Sequence, residues 1–314
     1  MGKKIILVDA VDLYPKVDGF ESAPIYKNCN SILRFIRYIH HKINILVGAK
    51  NYWLGKWKRN IDDYSDIVVF DSIFDYTPLD YIRKHNPSAR IVFCFRNRVG
   101  EQIHHNACTR DPYIIKGKYH CELWSYNQAD CKIYGMNKYN QFLLIDNAYF
   151  GSKVPILQDV YFIGTDKGRI IKLLEIKGIF DRMAISYKIE VVGDRGVSYS
   201  EEAQKFLSKS KPYSQVIDSV LHSKCLLDIV ENVNYGLTYR GIEALAYKKK
   251  LITNYLDIQK EKFYSKNNIF LIGVDDYNEL SSFINSPFDE SSSKYLVEYT
   301  YPFFCNKIIN NNLN

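Results

Sequence analysis

Gly236-Leu237-Thr238-Tyr239-Arg240-Gly241-Ile242-Glu243-Ala244-Leu245-Ala246, with Lys250-Leu251-Ile252-Thr253-Asn254 just beyond it, is the stretch that decides the fold. It reads as a glycine turn, a short helix carrying one carboxylate, and a buried strand. The apolar run Cys225-Leu226-Leu227-Asp228-Ile229 supplies a strand before it. A strand, Gly loop, helix, strand unit turns backbone N–H groups and a helix N-terminus toward a place where a phosphate can sit. Glu243, about one and a half turns into the helix, would then reach a ribose hydroxyl.

Outward from that unit, short β-rich apolar runs alternate with helical patterns, which predicts parallel sheets with crossover helices. In the first half the expected strands are residues 4–8, 43–47, 67–70 and 90–95. Residues 31–40 form an amphipathic helix with Ile32, Phe35, Ile36 and Ile39 on one face, and residues 79–84 a second helix. Residues 97–120 are polar and broken, and read as loop. Gly151, Ser152 and Pro155 mark a linker. The second half gives strands at 159–163, 188–192, 225–229, 250–253 and 268–272, with helices at 170–180, 200–209, 213–222 and 275–284. The expected division is therefore 1–150, 151–290 and a helical tail, 291–314, packing back across the domains.

The 314 residues carry 42 Lys and Arg against 35 Asp and Glu, a formal charge of +7. This basic excess reads as scattered rather than gathered into a stripe, which argues against nucleic acid. It suits an anionic membrane surface or a nucleoside diphosphate. The seven cysteines are widely spaced with no C-x-x-C pair, so free thiols and a reducing cytoplasm are expected. The apolar run at residues 5–8 is too short for a signal segment or a membrane span. No G-x-G-x-x-G follows the first strand, and no P-loop, H-E-x-x-H, G-x-S-x-G or D-x-D occurs. No metal site or cofactor is expected.

Gly164-Thr165-Asp166-Lys167-Gly168-Arg169 lies directly between a strand and a helix. Gly164 lets backbone approach a phosphate, and Lys167 and Arg169 add charge-assisted bonds. Thr238 fits a helix N-cap, and Asp228 ends a buried strand. If the chemistry needs a general base, it would lie after the first or fourth strand, at the C-terminal sheet edge where ligands gather. Asp9, Asp12, Asp18 and Glu21 follow the first, and Asn97, His104 and His105 the fourth. Asp12 and His105 are the candidates.

In this order of elements, residues 155–285 resemble the C-terminal, nucleotide-sugar-binding domain of GT-B glycosyltransferases. The likeness rests on Phe162 to Arg169, Val191-Val192-Gly193-Asp194, Tyr213-Ser214-Gln215-Val216-Ile217, and the Gly-Leu, Glu-Ala and Lys-Leu-Ile-Thr sequences. Leu227-Asp228-Ile229 with residues 236–243 resembles, more narrowly, transferases of bacterial capsule and O-antigen synthesis. Trp124-Ser125-Tyr126-Asn127 with Asp130, Tyr134 and Gly135 is similar to the end of the N-terminal domain in that group.

The resemblance implies an α/β protein of two Rossmann-like domains facing a cleft. It implies transfer of a sugar, most simply UDP-linked, to a glycan or lipid-linked acceptor, on or near the cytoplasmic face of the inner membrane. Lys167 and Arg169 would hold the diphosphate with Gly164 beneath them. Gly236 and Thr238 would form the phosphate loop, Arg240 a second phosphate contact, Asp228 a donor contact, and Glu243 the ribose contact. Many retaining members carry a second glutamate before the Gly-Leu pair. Here Tyr235 stands eight positions before Glu243 and Glu231 twelve before, so retaining and inverting chemistry both stay open. An epimerase, a pyruvyl transferase and a non-catalytic nucleotide-binding module are the rival readings.

Overall fold

In the computed structural model, the described residues are 2–9, 11, 14–43, 47–99, 110–144, 154–231 and 236–309. The chain divides into two units, Met1–Leu144 with Tyr301–Asn314, and Ile145–Thr300.

The first unit is built on a parallel sheet of β1 (Lys3–Val8), β2 (Glu21–Pro24), β3 (Tyr64–Phe70), β4 (Arg90–Phe95), β5 (Glu122–Ser125) and β6 (Asn137–Lys138), ordered β2-β1-β3-β4-β5-β6. Its strands bury both faces, as parallel strands under crossover helices must. Ile5, Leu7, Ile67, Val69, Ile91 and Phe93 point into one core. The alternating Ile6, Val8, Val68, Phe70, Val92 and Cys94 point into the other. Helices α1 (Ser31–Lys42), α2 (Thr77–His85), α3 (Pro112–Tyr119) and α4 (Gln128–Tyr134) connect the strands.

Several expectations shift here. Ile43 caps α1 and Val47 begins a 3-10 segment, Val47–Trp53, so neither end of the strand expected at 43–47 is strand; residues 44–46 lie outside the described set. The stretch expected to be loop contains α3, which Asp111 caps by accepting from the Tyr113 and Ile114 N–H groups. β2 had no apolar run to announce it, and its Pro24 is tolerated because it lies on the sheet edge.

The second unit carries β7 (Gln158–Thr165), α5 (Ile170–Arg182), β8 (Tyr187–Val192), α6 (Glu201–Gln204), α7 (Tyr213–Leu221), β9 (Ser223–Asp228), α8 (Tyr239–Ala246), β10 (Lys250–Thr253), β11 (Ile269–Leu271) and α9 (Leu280–Asn285). The helix expected over 200–209 shrinks to α6, one turn long. All strands are parallel, in the order β11-β10-β9-β7-β8. From β7 the chain first steps outward to β8, then crosses back over β7 to β9. The switch point of this sheet therefore lies between the C-terminal ends of β7 and β9, where open α/β sheets bind ligands. Val160, Phe162, Cys225, Leu227, Ile252 and Phe270 form the core beneath it.

After a 3-10 segment, Glu290–Tyr299, the chain ends its described course in α10, Tyr301–Ile309. α10 belongs to the first unit. Its Tyr301, Phe304, Cys305 and Ile308 are buried against Ile6, Val8, Phe70 and Phe142. The Phe304 ring lies 4.5 Å from that of Phe142 and 5.7 Å from that of Phe70.

Candidate nucleotide site

The loops after β7 and β9 bring most of the expected residues to the switch point of the second sheet. After β7 the chain turns through Lys167 at φ 46° and Gly168 at φ 79°. A left-handed lysine costs roughly 1–2 kcal/mol. The turn is held because the Lys167 N–H donates to Asp194 Oδ2 at 2.8 Å. Asp166, which sequence reasoning passed over, is buried beneath it. Its carboxylate accepts from the Ile170 N–H at 2.8 Å and the Tyr199 hydroxyl at 2.9 Å, fixing the start of α5. The Lys167 side chain is exposed and pairs with no described carboxylate.

Arg169 serves the fold more than was expected. Its guanidinium folds back over β7, donating to the carbonyl oxygens of Thr165, of Asp166 at 3.1 Å and of Ile229 at 3.2 Å. It also lies over the Phe162 ring, 5.5 Å from the centroid. Arg169 thus ties the end of β7 to the end of β9. Burial pulls its pKa down, against the opposing pull of Asp228, Asp166, Glu231 and Asp194. A Cβ on Gly164 would lie 2.8 Å from the Arg169 guanidinium. The glycine leaves room for that arginine.

At the end of β9, Asp228 is buried. It accepts from the Thr238 hydroxyl at 2.9 Å and the Thr253 hydroxyl at 3.4 Å. Burial pushes its pKa up in spite of these bonds and of the Arg240 and Arg169 charges. Thr238 Oγ1 in turn accepts from the Gly241 N–H at 3.4 Å, so it is the N-cap of α8. Gly236 enters this turn at φ 77°, which few other residues adopt. Asn254, at the end of β10, holds the β9 loop through paired bonds to Val230, 2.7 Å from its N–H and 2.9 Å from its carbonyl.

Glu243 differs most from its expected surroundings. It is 2% exposed. Its carboxylate is paired with Arg240 one turn earlier and accepts from the Tyr213 hydroxyl at 2.8 Å. The Arg240 guanidinium also donates to the Ile163 carbonyl at 3.4 Å. Burial, and then the Glu243 charge, push the Tyr213 pKa well above its ordinary value. A carboxylate offers about four acceptor positions, so Glu243 keeps capacity for another donor. Its first task is nonetheless to neutralise Arg240.

Asp12 and His105, the expected bases, lie outside the described residues, as does His104. Of their neighbours, Asp9 sits at the end of β1, accepts from Ser72, and is paired with Arg96 at 2.7 Å. Asn97 is fixed by Asp71, which accepts from its N–H at 3.1 Å. Among the described residues no His, Cys, Asp and Glu group has metal-binding geometry, and no cysteine is disulfide-bonded.

The chain thus folds as two α/β units, each on a parallel sheet, with a left-handed turn and a capped helix at the switch point of the second sheet. Two parallel-sheet α/β units of this kind match the fold of GT-B structures. No family model matches the sequence, and no curated protein matches it. Among solved structures, the crystal structure of TarM aligns over 82% of this chain at 14% identity and a TM-score of 0.54. This chain spans 57% of the TarM chain, little more than half of it. The glycotransferase of kitacinnamycin aligns over 94% of this chain and 87% of its own, at 10% identity and a TM-score of 0.44. The likeness to TarM supports the fold; the second match, at its lower score, adds no weight.

Proposed function

We propose that this chain is a glycosyltransferase that takes a sugar from a nucleotide-sugar donor, UDP-linked in the simplest case, to a glycan or lipid-linked acceptor of bacterial surface polysaccharide synthesis. The observation that carries the reading is the β7–β9 switch point. There the exposed Lys167 and the Thr238-capped N-terminus of α8 adjoin a turn whose geometry Arg169, Asp166 and Asp228 hold rigid.

In this reading Lys167 and the N-terminus of α8 neutralise the diphosphate as it leaves, a preorganised arrangement that needs no reorganisation at the transition state. The basic residues and backbone donors supply the charge that a metal would otherwise bring. Arg169 holds the loop in place. Glu243 contributes a ribose contact through its unoccupied oxygen positions while remaining paired with Arg240. The first unit receives the acceptor, with Asp12 or His105 as base. An acceptor on a lipid carrier places the enzyme at a membrane surface. No helix among the described residues is long and apolar enough to cross one.

The test is thermal unfolding against UDP, GDP, dTDP, CMP and ADP. One nucleotide should raise the midpoint selectively, by the equivalent of about 2.7 kcal/mol at a hundredfold excess over its dissociation constant. The shift should shrink in Lys167→Ala, whose exposed side chain supports nothing in the fold. Failure of all five nucleotides to bind would remove the donor site and the activity with it.

A further inference from the structure

Helix α1 is amphipathic as expected, but it faces the other way from a core helix. An apolar stripe normally lies against the protein. Here Ile32 is 71% exposed, Phe35 63%, Ile36 46% and Ile39 38%, with Ile43 at 45% continuing the stripe. The side that packs is polar. Arg37 donates to the Lys27 carbonyl at 2.8 Å and lies over the rings of Tyr26 and Phe74. His41 pairs with Asp75 at 2.8 Å, and His40 accepts from the Trp53 indole N–H at 2.8 Å. The helix is thus anchored without its apolar residues, and five large side chains are left facing water. A contiguous stripe of this kind marks an interaction surface.

The charge around it shows what kind of surface. Between Glu21 and Asp62 the sequence holds no carboxylate and eight Lys or Arg residues, more than the net charge of the whole chain. The excess that reads as scattered along the sequence is therefore concentrated in the segment that carries α1. Asp75, the carboxylate that packs against α1, is already taken by His41 and Lys50 on the anchored side. Lys42 is exposed beside the stripe, whereas Arg34, also exposed, lies on the side of Arg37 and His41. Arg34, Arg37 and Lys27 also line a cavity of about 670 Å³ next to the helix.

We propose that α1 is a membrane-docking helix that lies in the plane of an anionic bilayer. Ile32, Phe35, Ile36 and Ile39 enter the boundary between headgroups and acyl chains, and Lys42 with the other exposed basic residues of this segment meets the lipid phosphates. Apolar insertion combined with basic flanks is the chemistry of interfacial helices. A second copy of the chain is a poor occupant, because it would bring two carboxylate-free basic segments together. This deepens the peripheral membrane association in the functional reading. Its test leaves the nucleotide turn untouched, so either can fail alone.

The experiment is co-sedimentation of the full chain with vesicles of phosphatidylcholine alone or mixed with phosphatidylglycerol. Wild type should pellet with the anionic vesicles, less so in high salt. Phe35→Ser and Ile36→Ser should each weaken binding by about tenfold or more, from the transfer cost of one large apolar side chain. Lys42→Gln should weaken it about fivefold, the worth of one basic residue at an anionic surface. All three sites are exposed, so the melting temperature and the nucleotide response should hold. Three results would each overturn the proposal: no binding by wild type, equal binding by Phe35→Ser, or a wild-type dimer that Ile36→Ser turns into a monomer.

Discussion

Replacing Glu243 by alanine should be among the most damaging single changes in the second unit, for a reason separate from any ligand. The carboxylate is almost fully buried, and the Arg240 side chain is 13% exposed. Without Glu243, Arg240 loses its paired carboxylate, holding a long bond to the Ile163 carbonyl, and the Tyr213 hydroxyl loses its acceptor. Breaking a buried pair by deleting one partner costs about 3–5 kcal/mol, because the surviving charge is stranded. For a unit of this size each kcal/mol moves the midpoint by about 2–4 °C, so the transition should fall by roughly 6–20 °C. Trp53, Trp57 and Trp124, the three tryptophans of the chain, all lie in the first unit. Tryptophan fluorescence therefore reports that unit, while far-ultraviolet circular dichroism sees both. Glu243→Ala should lower a dichroism transition. The paired change Arg240→Met with Glu243→Leu should restore most of the loss, since a buried ion pair replaced by apolar side chains of similar volume is often neutral or better. A loss under about 1 kcal/mol in Glu243→Ala would refute the buried-pair account. If the restored double variant bound the nucleotide as tightly as wild type, Glu243 would have no part in ribose binding.

Two further outcomes test the first unit. Phe304→Ala should cost about 3–5 kcal/mol, as large aromatic truncations in cores do, and the loss should appear in the tryptophan transition because Phe304 packs on Phe70 and Phe142. Asp75 governs acid stability: burial opposes its ionisation, but His41, Thr77 and Lys50 override that and hold its carboxyl well below the usual 3.8. A depressed folded-state pKa contributes stability that is present above 3.8 and is lost as the pH falls below it. Urea midpoints measured on either side of that value should therefore separate more in wild type than in Asp75→Asn.

The strands of the second sheet were legible because short apolar runs, the β-branched and aromatic Val160-Tyr161-Phe162-Ile163 above all, have few other uses. The loops that carry the candidate site were legible too, through Gly164, Gly168 and Gly236. What each charged side chain does there was not. Arg169 meets Ile229 sixty residues away, and Glu243 meets Tyr213 thirty residues away. No local pattern encodes partners at such distances, so side chains that read as ligand contacts emerge as supports of the loops. The periodicity of α1 likewise fixed the helix and its stripe but not the direction in which the stripe points, because Arg37 and His41 pack where leucines ordinarily would. β2 stayed hidden because Glu21-Ser22-Ala23-Pro24 has no apolar pattern to read.

The helix Tyr301–Ile309 also sets an order of events during synthesis. Residues of the first sheet leave the ribosome early, yet the face of that sheet bearing Phe70 and Val8 gets its cover only when the last described helix emerges. The second unit is continuous in sequence and can close its own core before that moment. A chain truncated at residue 300 would therefore carry a complete second unit and a first unit with one open apolar face, the species on which a chaperone has most to do.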